Sequence, residues 1–172
     1  MAWYVLFGIT MKEEKLCSQI KAVLIKYIKL ENIILLVPKR KIVEYHRGSW
    51  IIKEKVLFPG YVFINLNEKD INILYDHIQE CSLLIKILMC ENTYYILQKD
   101  DLELIQWINS CNGVIELFDL EKDGEFYIIR NSVIANQIEV LKVNLRKKRC
   151  KVLIDFNKKQ YIMDIGINKV LL

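Results

Sequence analysis

The stretch FPGYVFINL, residues 58–66, has the pattern of a tight turn that leads directly into a β-strand. Pro59 presets its own φ and Gly60 relaxes the backbone, so these two residues fix the angle at which the strand begins. From Tyr61 onward the sequence favours an extended strand, in which successive side chains point to opposite faces.

Both faces of this strand begin with large apolar side chains. Val62, Ile64 and Leu66 share one face, which we expect to pack into the core of the domain. Tyr61 and Phe63 share the other face, which we expect to remain open for a partner. Alternation alone leaves a second possibility, in which another loop of the same domain covers these two rings.

A strand and an amphipathic helix precede this stretch. Residues 3–9 are aromatic and β-branched, which is typical of a strand. Thr10 and Glu13 have the spacing of a capping box, and they predict a helix over residues 11–29. One face of that helix carries apolar residues at helical spacing. They are Leu16, Ile20, Val23, Leu24 and Tyr27.

Strands and short helices fill the rest of the N-terminal two thirds. We predict strands at 33–38, 83–89 and 94–97, and a hairpin with arms 42–45 and 49–56 joined through His46-Arg47-Gly48. Asp70 is the expected N-cap of a short helix. A last helix is expected from Asp100 to Asn112-Gly113, a typical helix stop.

The pattern changes after this helix to short strands at near-regular spacing. Residues 126–129, 137–143, 150–156 and 161–165 are strand-like, with a weaker segment at 169–172. Such spacing predicts a small barrel. The fold class is therefore α+β, with domain boundaries predicted at 1–109 and 122–172 and an acidic linker at 110–121.

Composition excludes several classes of protein. The chain has 172 residues, of which 53% are hydrophobic and 27% charged, so we expect a globular protein. No apolar run approaches the roughly 18 residues of a membrane span. The N-terminus lacks the basic and apolar regions of a signal peptide. We therefore predict a cytoplasmic protein with no membrane contact.

The sequence shows no signature of catalysis. The five cysteines are widely spread without a C-x-x-C pair, and His46 and His77 have no partner at metal-ligand spacing. No phosphate-binding glycine loop or nucleophile motif is present. We expect a protein without enzyme activity, cofactor or metal.

Positive charge is concentrated near the C-terminus. The formal net charge is +4, but the charges are segregated. An acidic cluster at 116–125 is followed by a basic stripe at 142–159, whose only acidic residue is Asp155. The four consecutive cations at 146–149 repel one another unless an anionic partner is present. Such a stripe predicts binding to a polyanion.

Several segments together carry a resemblance to a known family. They are Trp3-Tyr4-Val5-Leu6, Glu13-Glu14, Val37-Pro38, Phe58-Pro59-Gly60-Tyr61-Val62-Phe63 and the basic segment 142–152. The chain resembles the NusG family of transcription elongation factors, which join an NGN domain to a KOW domain. The ending, residues 161–170, is more similar to specialised LoaP-type paralogs than to housekeeping NusG. The glycine–proline turn usual in KOW domains is replaced by NSVIAN at 131–136.

The resemblance implies a fold and three sets of contacts. The fold is an NGN domain with a mainly antiparallel sheet flanked by helices, then an SH3-like KOW barrel. The residues implied to bind the clamp helices of RNA polymerase are Phe58, Pro59, Gly60, Tyr61 and Phe63. Those implied to face upstream or non-template DNA are Lys12, Lys39, Arg40, Lys41 and Arg47. Those implied to hold nascent RNA, as a hairpin, are Lys142, Arg146, Lys147, Lys148, Arg149 and Lys151.

The implied function is a specialised transcription elongation and antitermination factor that acts as a monomer. Paired RNA is recognised largely by shape and phosphate contacts, which suits cations without nearby aromatic residues. Two alternatives stay open: a housekeeping NusG-type pausing or termination factor, and a ribosome-associated KOW protein that binds RNA.

A helical form of the KOW segment is a further hypothesis. Ile134, Ile138, Leu141 and Leu145 follow helical spacing, at i, i+4, i+7 and i+11. A specialised member of the NusG family hides its polymerase-binding face beneath such a helix. The same residues therefore fit a strand or a helix.

Overall fold

The computed structural model describes residues 1–29, 33–130 and 137–171. The helices are α1 (Glu13–Ile28), α2 (Glu68–Asp76) and α3 (Lys99–Ser110), with a 3₁₀ turn at Ile78–Glu80. The strands are β1 (Ala2–Gly8), β2 (Ile34–Leu36), β3 (Lys39–His46), β4 (Ser49–Val56), β5 (Tyr61–Leu66), β6 (Leu84–Ile87), β7 (Met89–Cys90), β8 (Thr93–Tyr94), β9 (Val114–Ile115), β10 (Phe118–Asp123), β11 (Phe126–Ile129), β12 (Ile138–Asn144), β13 (Arg149–Phe156) and β14 (Lys159–Leu171).

The chain divides into two compact units. The first comprises Met1–Val37 and Phe58–Gln98, and the second comprises Pro38–Leu57 and Lys99–Leu172. The β3–β4 hairpin, which lies inside the first predicted domain in the linear sequence, therefore packs with the C-terminal strands. None of the helices within the described ranges combines the length and the apolar composition that a membrane span requires.

The first unit is built on an antiparallel sheet with strand order β2-β5-β1-β6. β1 lies at the centre and pairs with β5 from Ala2 opposite Leu66 to Phe7 opposite Tyr61. The α1 stripe is buried as predicted at Leu16, Ile20, Val23 and Leu24, whereas Tyr27 is exposed. Leu16 lies where a side chain on Gly8 would point, so α1 covers that face of β1.

Two predicted helix caps are wrong. Lys12 is the N-cap of α1 and makes no capping hydrogen bond, so Thr10 and Glu13 do not form a capping box. In α2 the cap is Asn67, whose Oδ1 accepts a hydrogen bond from Asp70 N at 3.0 Å, rather than Asp70 itself. In both places several polar residues lie near the helix start, and spacing alone does not decide between them.

The predicted hairpin is confirmed as β3–β4, with eight cross-strand pairs from Lys39 opposite Val56 to His46 opposite Ser49. Arg47 and Gly48 form the connecting loop with φ of 47° and 87°. Two positive φ values are typical of the type I′ turn, whose twist matches that of the strands it joins. Lys39, Arg40 and Lys41 lie inside β3 rather than before it.

The second unit contains a five-stranded sheet with order β11-β10-β14-β13-β12. Its edge strands β11 and β12 contact each other, so the sheet is nearly closed into a barrel. Cys150, Val152, Ile154 and Ile165 are buried in its core. This confirms the predicted α+β fold with a small all-β C-terminal barrel.

Two details of the barrel differ from the predicted strands. Residues 161–165 and 169–172, predicted as separate strands, belong to the single long strand β14 as far as Leu171. The acidic segment predicted as a linker, 110–121, contains β9 and the first four residues of β10, and β10 pairs in parallel with β14. A parallel partner far along the chain leaves no local pattern, so the sequence did not show it.

The segment for which a helical form was a hypothesis is a strand in this structure at two of its four apolar positions. Ile138 and Leu141 belong to β12, and Ile134 lies outside the described residues.

Candidate interaction surfaces

The Phe58–Tyr61 segment forms a hydrogen-bonded turn. Tyr61 N donates to Phe58 O at 3.1 Å, Pro59 occupies the second position and Gly60 the third, with φ of 84°. This is the arrangement of a type II turn. A Cβ on Gly60 would lie 2.8 Å from the Phe7 ring and 3.1 Å from Gly8 O, so the position also needs glycine for space.

Glu13 holds this turn against the start of α1. Its Oε1 accepts hydrogen bonds from Gly60 N at 2.7 Å and from Met11 N at 3.1 Å. The side chain is buried, so these bonds satisfy a carboxylate that is shielded from water. The residue expected to cap the helix instead connects the helix start to the strand entry.

Phe63 is buried, and the prediction that it lies exposed beside Tyr61 is wrong. Its exposed fraction is 0%, as is that of Val5, its neighbour across the sheet. The Phe58 ring is also buried and lies 6.3 Å from the Phe63 ring, centroid to centroid. At the centre of the sheet both faces are covered, so alternation of side chains does not mark an exposed face there.

Tyr61, the first residue of β5, remains half-buried. Its ring packs edge-on against Phe7, with centroids 5.1 Å apart. Phe7 is also half-buried, while Ile9 and Met11, which follow β1, are exposed, Met11 at 87%. We call Phe7, Ile9, Met11 and Tyr61 the Tyr61 surface. The sequence interpretation missed Phe7, although pairing of β1 with β5 would have placed it opposite Tyr61.

The five cations predicted to face DNA are divided between the two units. Lys12 is exposed in the first unit, and Arg47 is exposed at the hairpin tip in the second. The other three have partners within the second unit. Lys39 Nζ lies 3.9 Å from Glu54, and Lys41 Nζ lies 2.7 Å from Glu116 Oε1.

Arg40 forms hydrogen bonds to two backbone carbonyls of the second unit. Its Nε donates to Asp164 O at 2.9 Å and its Nη1 to Val56 O at 2.6 Å. Burial lowers the pKa of the Arg40 guanidinium, while the charge of Asp164 opposes this effect. Arg40 thus joins β3 to both β4 and β14.

The run of four cations at 146–149 lies where β12 connects to β13, and we call it the basic turn. Asn144 Oδ1 accepts a hydrogen bond from Lys147 N at 3.0 Å, and Lys148 N donates to Leu145 O at 3.1 Å. The exposed cations of this region form no ion pair among the described residues. They are Lys142, Arg146, Lys147, Lys148 and Lys151.

Arg149 differs from its neighbours because it is anchored to the hairpin. Its Nε donates to Val43 O at 2.7 Å, and its guanidinium lies 3.6 Å from Glu44 and 3.7 Å from Asp164. Beside it is a cavity of about 230 Å³. The cavity is lined by Lys142, Asn144, Lys147, Arg149, Lys151 and Asp164. Four cations face this space, which suits a phosphate group.

Aromatic side chains lie next to the basic turn, contrary to the expectation that none is near. Lys148 Nζ lies 5.5 Å from the centroid of the Trp50 ring, a cation–π distance. Trp50 packs edge-on against Tyr45 with centroids 5.1 Å apart. The sequence interpretation missed them because Trp50 and Lys148 are far apart along the chain.

Two of the five cysteines, Cys81 and Cys150, are buried. Burial raises the pKa of the Cys81 thiol to about 11 and that of the Cys150 thiol to about 12, which disfavours reactive thiolates. Among the described residues, no group of three or more His, Cys, Asp or Glu side chains is placed to hold a metal ion.

The antiparallel sheet flanked by helices, followed by a nearly closed barrel, defines a NusG-like α+β protein, consistent with NGN and KOW domains. A family model described as NusG, transcription termination factor nusG, matches residues 1–138. The chain belongs to the NusG family of transcription factors.

One solved structure supports the fold. A structure titled "Domain interaction in Thermotoga maritima NusG" has a TM-score of 0.59 at 13% identity, and the match covers 96% of this chain and 93% of that one. A crystal structure of the MjSpt4:Spt5 complex matches with a TM-score of 0.31 and 9% identity, covering 96% and 99% of the two chains. Among curated proteins, no sequence matches this chain significantly.

Proposed function

We propose that this NusG-family protein is a specialised elongation and antitermination factor that binds RNA polymerase with its NGN domain and nucleic acid with its KOW domain. We take residues 1–109 and 122–172 as these functional domains, and a cytoplasmic monomer as the active form. The Tyr61 surface is the observation that carries the proposal, because it combines exposed apolar side chains with a rigidly held turn.

The Tyr61 surface fits the clamp helices of the polymerase. An aromatic ring that is half-exposed in the free protein becomes fully desolvated in an interface, and such rings dominate binding energies. Tyr61 and Phe7 supply the rings. The other residues of the motif contribute indirectly, because they fix the turn and support the strand. They are Phe58, Pro59, Gly60 and Phe63. Pre-organisation of this kind lowers the entropic cost of binding.

The second contact is with nucleic acid. The exposed cations Lys142, Arg146, Lys147, Lys148 and Lys151 supply sequence-independent contacts to phosphates. Nascent RNA is the polyanion that we assign to them. Of the cations predicted to face DNA, we retain Lys12 and Arg47 as DNA contacts, because both are exposed. Arg40 and Arg149 serve chiefly to hold the second unit together.

Titration of purified core RNA polymerase tests the first contact. Tyr61→Ala is expected to weaken binding by about 1–3 kcal/mol, the range for an interface anchor. Tyr75→Ala is the matched control, since Tyr75 is another solvent-accessible tyrosine of the first unit but lies on α2. Equal affinity of wild type and Tyr61→Ala, with both proteins folded, would overturn this assignment.

The housekeeping role is the second candidate, because the matching family model is described as a termination factor. Transcription through an intrinsic terminator separates the two roles. Antitermination requires that the protein raise read-through, whereas a termination factor lowers it. Retention on ribosomal subunits at high salt, without polymerase, would instead favour the ribosome-associated alternative.

A further inference from the structure

We propose that Trp50, with Tyr45 and Lys148, forms a stacking platform for an unpaired base of a single-stranded nucleic acid whose phosphates lie on the basic turn. We call these three residues the Trp50 platform. The inference rests on the proposed nucleic-acid binding of the C-terminal barrel, and it names the class of ligand and the residues that select it.

The platform exposes aromatic surface on a rigid hairpin. Tyr45 and Trp50 are directly opposite each other in the β3–β4 register and pack edge-on. Their exposed fractions are 63% and 44%, and Ile52 on β4 is exposed as well. Exposed apolar groups that cluster on one face typically mark an interaction site.

Positive charge lies immediately beside the rings. Lys148 Nζ is 5.5 Å from the Trp50 centroid, and Arg146 and Lys147 precede it in the same turn. None of these three cations has an ion-pair partner among the described residues. Aromatic rings next to unpaired cations are the combination by which proteins hold single strands, since bases stack on the rings while cations track the backbone.

Two anchors keep the rings and the cations together. Arg149 directly follows Lys148 and donates from Nε to Val43 O at 2.7 Å, which ties the basic turn to β3. Its guanidinium also lies 3.6 Å from Glu44 on the same strand. Arg149 is therefore a positioning residue: it holds the turn against the hairpin that carries Trp50. A solubilising turn would need no such attachment.

The geometry distinguishes an unpaired strand from a duplex. In a duplex the bases are stacked on each other and offer only their edges to a protein. A flat ring such as Trp50 can bind only a base that has left its stack, whereas the cations alone serve either form. The ligand is thus a single strand or a loop, rather than the paired stem of an RNA hairpin.

Fluorescence anisotropy with the full chain tests the platform. The probes are a labelled uridine-only RNA and a thymidine-only DNA of about 12 nucleotides, within the site size of small single-strand binders, together with an RNA duplex of the same length. Trp50→Ala is expected to weaken binding of a single strand about 5-fold to 100-fold, with little effect on the duplex. Trp50→Phe keeps an aromatic face and should recover much of the loss.

The charge contribution has its own signature. Lys148→Ala should weaken binding of single strands and of the duplex alike. It should also reduce the slope of the logarithm of the binding constant against the logarithm of the salt concentration by about one. A preference for the RNA probe would assign nascent transcript, and a preference for the DNA probe would assign the displaced DNA strand. Either preference supports the platform.

Two results would overturn the inference. One is a Trp50→Ala protein that binds both single strands within about twofold of wild type. The other is an equal loss of affinity for single strands and duplex. Polymerase binding by the same variant serves as the folding control. If that binding is normal while Trp50 proves neutral, the platform fails and the proposed function stands.

Discussion

The Glu13 carboxylate accepts a hydrogen bond from Gly60 N at 2.7 Å, and this bond joins the first turn of α1 to the turn that begins β5. The same oxygen, Oε1, accepts from Met11 N, so one carboxylate orders two loops at the edge of the Tyr61 surface. Because the bond is buried, water does not compete for either partner. The orientation of Tyr61 thus depends on a side chain 48 residues away in the sequence.

Gly60→Ala is expected to destabilise the protein more than Gly48→Ala. Both glycines have positive φ, of 84° and 87°, so each substitution carries the cost of the left-handed region, about 1–2 kcal/mol. Only Gly60 is crowded, by Phe7 and Gly8 O, and we expect about 1–3 kcal/mol more from overpacking. Urea denaturation compares the two variants. Equal losses of unfolding free energy would contradict the crowding argument.

Arg40→Ala is expected to lower the free energy of unfolding by about 1.5–3 kcal/mol, because charged hydrogen bonds to the carbonyls of Val56 and Asp164 are lost. Arg40→Lys should recover little, since an ammonium lacks the fork that reaches two acceptors. Arg47→Ala, at the exposed hairpin tip, is the control and should change stability by less than about 0.5 kcal/mol. Weakened nucleic-acid binding by a fully stable Arg40→Ala protein would show that Arg40 is instead a phosphate contact.

Acid should destabilise the protein partly through Glu44. Hydrogen bonds from Lys53 and Lys55 lower the pKa of Glu44 from 4.5 to about 2. A carboxylate whose pKa is lowered on folding stabilises the native state above its unfolded pKa, and this contribution is lost as the pH falls from about 4.5 to about 2. Glu44→Gln should therefore show a shallower loss of stability across that range.

The control for this pH series is Glu139→Gln. Glu139 is exposed on β12 and forms no ion pair among the described residues. Its replacement should therefore leave the acid limb, which is the loss of stability at low pH, unchanged. Thermal unfolding at a series of pH values provides the measurement. An identical acid limb in wild type and Glu44→Gln would mean that the Lys53 and Lys55 contacts do not persist in solution.

The cysteines should react with a thiol reagent in order of exposure. Cys90 is exposed and should be modified first, whereas Cys81 and Cys150 are buried with pKa values raised to about 11 and 12. Because the thiolate is the reactive species, these two should react only as the protein opens. Mass spectrometry of the labelled peptides gives the order. Rapid labelling of Cys150 in native buffer would contradict a closed barrel core.

Local patterns predicted most elements of secondary structure. Hydrophobic spacing located α1, and the Arg47-Gly48 dipeptide located the β3–β4 turn, because both depend on neighbours within a few residues. The parallel pairing of β10 with β14 escaped prediction, since its partner strand begins 36 residues after β10 ends. The caps of α1 and α2 were also missed, because adjacent polar residues compete for the same backbone donors.

In the candidate surfaces, too, the sequence predicted the local features and missed those that depend on tertiary packing. The run of cations at 146–149 is a local feature, and it lies between two segments that the sequence predicted as strands, 137–143 and 150–156. The burial of Phe63 is not local, because it depends on what covers the second face of the sheet. The approach of Trp50 to Lys148 is likewise a product of packing between the β3–β4 hairpin and the barrel.

By itself, the sequence determined the family resemblance, the α+β class, the turn-and-strand motif at 58–66 and the concentration of cations near the C-terminus. These are properties of composition and short-range order. Only the tertiary structure decided that Tyr61 stays accessible while Phe63 does not, that Arg40 and Arg149 bind the protein's own backbone, and that Trp50 lies beside the basic turn. Exposure and charge pairing are set by whichever distant segment packs on a residue, and one-dimensional periodicity carries no record of that segment.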